Sequence, residues 1–182
     1  MMTILINAVV IALLVGAYFA WQALQQEPSR RWPKLAERLS LKYEGPPPRM
    51  TGPWKNRQVT VQPESEKAVV SFPVRRPENF RLEIGPRETV EKAAGIVVPD
   101  RLEFTEPAAL AFNERFLVRC KPVETGRVVF DHVMRARLLA LGEFHVLAEA
   151  GRFTIRLPLD TDASALRQIF DLVSSILDGV EG

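Results

Sequence analysis

Apolar side chains follow three different patterns along this chain. From Ile4 to Leu24 they run almost without a break, with polar side chains only at Asn7 and Gln22. Twenty-one helical residues span roughly 30 Å, enough to cross the hydrocarbon core of a bilayer once. The pattern therefore predicts a single N-terminal transmembrane helix, with residues 1–25 as the anchor. Met1, Met2 and Thr3 carry no positive charge and no small-x-small cleavage site follows, so a retained anchor is expected and not a removed signal peptide.

The second pattern is helical. Trp32, Leu35, Ala36 and Leu39 fall at i, i+3, i+4 and i+7, which predicts an amphipathic helix over Ser29 to Ser40. Ser29 suits its N-cap, and Pro33 fits only because it lies in the first turn. Gly45-Pro46-Pro47-Pro48 then reads as an extended spacer. Residues 26–48 thus form a juxtamembrane segment.

Beyond it the period falls to two. Arg49 to Trp54 and Gln58 to Gln62 flank Lys55-Asn56-Arg57 as a candidate hairpin, followed by strands over Lys67 to Val74 and Asn79 to Ile84. Pro86 to Gly95 reads as a charged loop with at most a helical turn. Short strands at Arg101 to Thr105 and Arg115 to Cys120 bracket a helical turn at Pro107 to Phe112. Asp131 is placed to cap a helix over His132 to Leu141. A hairpin follows from Phe144 to Glu149 and Arg152 to Leu157, and Asp162 is placed to cap Ala163 to Leu177. The expected fold class is α+β: one transmembrane helix, then a compact domain (49–182) of short antiparallel strands with a few packed helices. Hairpin followed by helix occurs twice, a hint of two similar halves.

Charge adds an orientation. No Lys or Arg precedes the apolar run, whereas Arg30, Arg31, Lys34, Arg38 and Lys42 follow it. The positive-inside bias places the domain in the cytoplasm and the N-terminus across the inner membrane. Gln25 to Arg57 carries net +5 and the remainder net −3, together the overall +2. Arg30, Arg31, Lys34 and Arg38 are candidates for contact with anionic lipid headgroups. The net acidic remainder argues against nucleic acid as a partner. Cys120 has no partner for an internal disulfide.

Chemistry is sparse. The two histidines, His132 and His145, have no metal-site spacing, and no phosphate loop or nucleophile elbow is present. Asp131-His132 is explained by a helix cap beside an exposed imidazole, and Cys120 by an inert buried thiol. The apolar run holds no His, Cys or charged residue, so its own helix offers no ligand for pigment or haem, and no cofactor or metal is expected. Within that run Ala8, Ala12, Gly16 and Ala20 recur every fourth residue, with Asn7 beside them, a stripe that lets another helix approach closely.

Five phrases, LAERLSLKYEG from Leu35, MTGPWKNRQVTV from Met50, FNERFLVR from Phe112, RARLLAL from Arg135 and GRFTIRL from Gly151, resemble a group of uncharacterised single-span bacterial proteins. The resemblance implies the domain layout and no functional residue. The expected function is a non-catalytic accessory subunit of a membrane complex, photosynthetic or respiratory, with integral membrane proteins as partners. Trp54, Arg87 and Glu88 are the candidate partner contacts. The alternative is a membrane-tethered cytoplasmic sensor or ligand-binding domain, and a hydrolase with an unrecognised site is a third reading.

Overall fold

The computed structural model describes residues 15–16, 28–75, 80–92, 98 and 100–181. Its framework is one antiparallel sheet of nine strands: β1 (Lys42–Glu44), β2 (Arg49–Trp54), β3 (Arg57–Glu64), β4 (Lys67–Pro73), β5 (Arg81–Pro86), β6 (Arg101–Leu102), β7 (Phe116–Lys121), β8 (His145–Glu149) and β9 (Arg152–Pro158). Their spatial order is β1-β2-β3-β4-β9-β8-β5-β7-β6. The helices are α1 (Pro28–Leu39), α2 (Arg87–Lys92), α3 (Leu110–Arg115, entered through a 3-10 turn at Pro107–Ala109), α4 (Val123–Val129), α5 (His132–Ala140) and α6 (Ala163–Glu181).

Alternation along each strand sorts side chains onto two faces. On one face a single row crosses eight strands: Met50, Val61, Val70, Ile155, Val146, Ile84, Val118 and Leu102. A second row joins Phe72, Phe153, Ala148, Leu82 and Cys120. These residues are buried beneath helices. Phe170 of α6 packs edge-on against Phe72 and Trp54, at ring separations of 5.8 and 5.1 Å. Gly126 of α4 lies so close to Cys120 and Leu102 that a Cβ there would come within 2.9 Å of both. Trp32, Leu35, Ala36 and Leu39 of α1 close the β1–β2 end.

The two aspartate caps work as the sequence suggests, whereas Ser29, expected as a cap, lies inside α1, which starts at Pro28 and carries Pro33 as its sixth residue. Asp131 Oδ1 accepts from the Met134 amide at 2.7 Å, and Asp162 Oδ1 from the Ala165 amide at 2.8 Å. The three two-residue hairpin turns share one feature: Lys55, Ser65 and Ala150 each take a positive φ at the first position. At Ala150-Gly151 both residues are left-handed, as a type I′ turn requires.

The expected fold class needs correction. Among the described residues no helix is long and apolar enough to cross a membrane. The physical reason is amphipathicity: α6, the longest of the described helices, buries Leu166, Phe170, Val173 and Leu177 but exposes Arg167, Asp171 and Asp178, so it is a core helix. The proposed span lies outside the described residues except for Val15 and Gly16, which are helical. Where a transmembrane helix followed by a compact domain of short strands was expected, the described residues form one continuous nine-stranded antiparallel sheet covered by helices. Gly45 to Pro48 forms the turn between β1 and β2, and α4 occupies a stretch where no element was expected.

Candidate functional site

The opposite face of the sheet is polar. Thr51, Thr60, Ser71, Thr154, Leu147, Glu83, Arg119 and Arg101 form its central row. Counting the strand positions of this parity gives nine basic side chains and four acidic ones, and no Phe, Tyr or Trp. Some of the charges neutralise one another: Lys42 pairs with Glu44 at 3.0 Å and Arg156 with Glu64 at 3.3 Å. Arg49, Lys67, Lys121 and Arg152 are exposed and make no ion pair with a described residue. Most other acidic residues of the described chain lie on helices and turns.

One end of this face is covered. Val90 of α2 and Val98 are fully buried, and Gly85 accommodates both Val90 and His145 because it lacks a Cβ. Beneath them Glu83 Oε1 lies 3.1 Å from His145 Nε2, while Glu83 Oε2 is buried without a hydrogen-bond partner. The other end, over β2, β3, β4 and the β8–β9 turn, is open. There a cleft of about 480 Å³ is lined by Arg49, Gln58, Thr60, Gln62, Ser71 and Arg152. A second cleft, of about 240 Å³, lies beside Lys67, His145 and Arg156.

The core face of the sheet holds one charged side chain, Arg57, among the described residues. Its guanidinium reaches Asp178 and Glu181 at the end of α6, each at 2.7 Å. Burial opposes that charge, but the two carboxylates outweigh it and raise the group above its ordinary value. Glu106 is held below the usual carboxylate range, first by its own backbone amide and then by Arg135, 2.8 Å away. Burial pushes the Cys120 thiol up to about 12, which leaves it protonated and inert at neutral pH.

The residues singled out from sequence are placed as follows. Asn7, Ala8, Ala12 and Ala20 lie outside the described residues; a Cβ on Gly16 would meet nothing within 4 Å. Arg30, Lys34 and Arg38 are exposed on α1, whereas Arg31 turns back to the Asp160 and Thr161 carbonyls. Trp54 is engaged within the chain, packed edge-on against Phe170 with its indole nitrogen 3.3 Å from Asp171 Oδ1. Arg87 is half-buried, bonded to the Asn113 carbonyl and paired with Glu91 at 3.2 Å. Glu88 is exposed, and His132 is an exposed first residue of α5. Among the described residues no three His, Cys, Asp or Glu side chains gather to hold a metal ion.

The open cleft was missed because its residues belong to four strands. The signal was there in the outward half of each alternation: Gln58, Thr60, Gln62 on β3 and Arg152, Thr154, Arg156 on β9.

No protein-family model matches the chain, and no curated protein matches its sequence. Among solved structures it is similar to the mycobacterial trehalose monomycolate transport factor A, TtfA, with a TM-score of 0.59 and 12% identity. The match covers 84% of this chain and 94% of that one. At this identity the two share a fold, and no residue role passes from one to the other.

Proposed function

We propose that this protein is a non-catalytic accessory subunit that docks onto an acidic partner protein through the exposed part of the polar face of its sheet. The observation that carries the reading is the basic excess of that face, nine basic strand side chains against four acidic, with four exposed cations unpaired among the described residues. Such a face steers an oppositely charged partner and fixes its orientation, more than it supplies affinity. The lack of aromatic side chains there leaves no stacking platform for single-stranded nucleic acid, which favours a protein partner. The fold is shared with a protein named as a transport factor, and nothing about its cargo is carried over.

The test reverses charge outside the open cleft. Full-length protein and the double variant Lys67→Glu, Lys121→Glu are recovered from the native cells with their bound proteins. One acidic partner should be recovered with the wild type, fall away as salt rises through the range where exposed charges are screened, and be lost from the variant. Equal recovery by both proteins would refute the docking face. Turnover of a substrate by the purified protein would refute the non-catalytic role.

A further inference from the structure

The open cleft carries a proposal that goes beyond partner docking. Its polar lining consists of two guanidiniums, two carboxamides and two hydroxyls, with no carboxylate among its residues. Two guanidiniums without a carboxylate disfavour a cation and favour an anion, since arginine presents a fork of donors matched to carboxylate or phosphate. A cleft of about 480 Å³ lies within the usual range for small-molecule sites.

The register places the charges. Arg49 precedes Met50, which pairs with Val61 on β3, while Arg152 pairs with Pro73 at the end of β4. The two arginines therefore stand at diagonal corners, three strands apart and displaced along the strand direction. Strand spacing and rise put their backbones roughly 19 Å apart, on opposite corners of the cleft that both side chains line. Between them Thr60 faces Ser71 as a cross-strand pair, flanked by Gln58 and Gln62. These are neutral groups that both donate and accept hydrogen bonds, as hydroxyl recognition demands. The wall on one side is the Ala150-Gly151 turn, held by the Val74 amide donating to the Gly151 carbonyl at 2.8 Å.

We propose that this cleft binds a polyhydroxylated dianion, one acidic group at each end and hydroxyls between. Arg49 and Arg152 take the two anionic ends, and Thr60, Ser71, Gln58 and Gln62 take the hydroxyls. A soluble sugar bisphosphate and a phosphorylated inositol headgroup share this chemistry.

The test needs no partner protein. The purified full chain is titrated with fructose 1,6-bisphosphate, fructose 6-phosphate and fructose, and separately with phosphatidylcholine vesicles containing phosphatidylinositol 4-phosphate. Loss of one charge-assisted contact should weaken binding about tenfold, so the bisphosphate should exceed the monophosphate by that factor and fructose should not bind. Arg49→Gln and Arg152→Gln should each bring the bisphosphate down to the level of the monophosphate, while Lys121→Gln leaves it unchanged. Binding to the soluble bisphosphate identifies a soluble ligand, and binding to vesicles alone identifies a headgroup. Binding to neither, fructose binding as tightly as its phosphates, or indifference to both arginine variants would overturn the proposal. Because Lys67 and Lys121 lie outside this cleft, failure here and failure of partner docking are read separately.

Discussion

At the scale of single residues, Arg57 shows how much a charge depends on where it is buried. Its side chain is 2% exposed on the core face of the sheet, beside Glu181 at 9% and Asp178 at 59%. Removing one member of a buried pair leaves the others desolvated and uncompensated, at a cost of about 3 kcal/mol. Arg57→Leu should therefore lower unfolding stability by about that much in urea denaturation. Lys55 offers the contrast: it pairs with Asp171 at 2.9 Å, but both side chains are more than half exposed. Lys55→Ala should cost less than about 1 kcal/mol. Equal losses for the two variants would show that Arg57 is not stabilised as the geometry implies. In the sequence the two residues are neighbours of Asn56 in one turn-like triplet, and nothing local distinguishes the buried cation from the exposed one. The difference comes from parity: Arg57 shares the face of Val59 and Val61, and only the partner helix makes that face a core.

At the scale of elements, close approach explains what composition does not. Gly126 sits in α4 where a Cβ would lie 2.9 Å from Cys120 and from Leu102. In an exposed helix Gly→Ala gains up to about 1 kcal/mol. Here overpacking should reverse the sign, and Gly126→Ala should destabilise by about 1–3 kcal/mol in thermal or urea unfolding. Gly179 of α6 is exposed and has only a Val129 methyl at 3.2 Å, so Gly179→Ala should be near neutral or stabilising. A stabilised Gly126→Ala would mean that α4 is not seated on β7 as described. Elements with strong local signals were legible in the sequence: α5 and α6 have aspartate caps and apolar faces, and β8 and β9 alternate across Ala150-Gly151. The strand β1 and helix α4 were not. Their stability comes from pairing with β2 and from packing on Cys120, neither of which leaves a local pattern. The open face was hidden for a related reason. Net charge along the chain does not reveal it, because strand parity gathers nine basic side chains and only four acidic ones on that face.

At the scale of the whole molecule, the decisive contact is long-range. Strand order could not be read from local patterns, because β4 ends at Pro73 and the strand it meets, β9, begins only at Arg152. Seven register pairs join them, from Lys67 with Pro158 to Pro73 with Arg152. The same seam carries Phe72 opposite Phe153 and Val70 opposite Ile155, both in the core. The repeated hairpin-then-helix pattern therefore does not build two independent halves. Helix α6, from the C-terminal part, packs Phe170 against Trp54 and Phe72 from the N-terminal part. A core shared in this way predicts cooperative unfolding. Trp32 and Trp54 report on the N-terminal strands, while far-ultraviolet circular dichroism reports on the entire sheet. Urea transitions followed by the two probes should superimpose in midpoint and slope. If the tryptophan signal changed in a separate, earlier step, the β1–β4 part would possess a core of its own. The β4–β9 seam would then be a contact between two domains, and the row from Met50 to Leu102 would no longer describe one cooperative sheet.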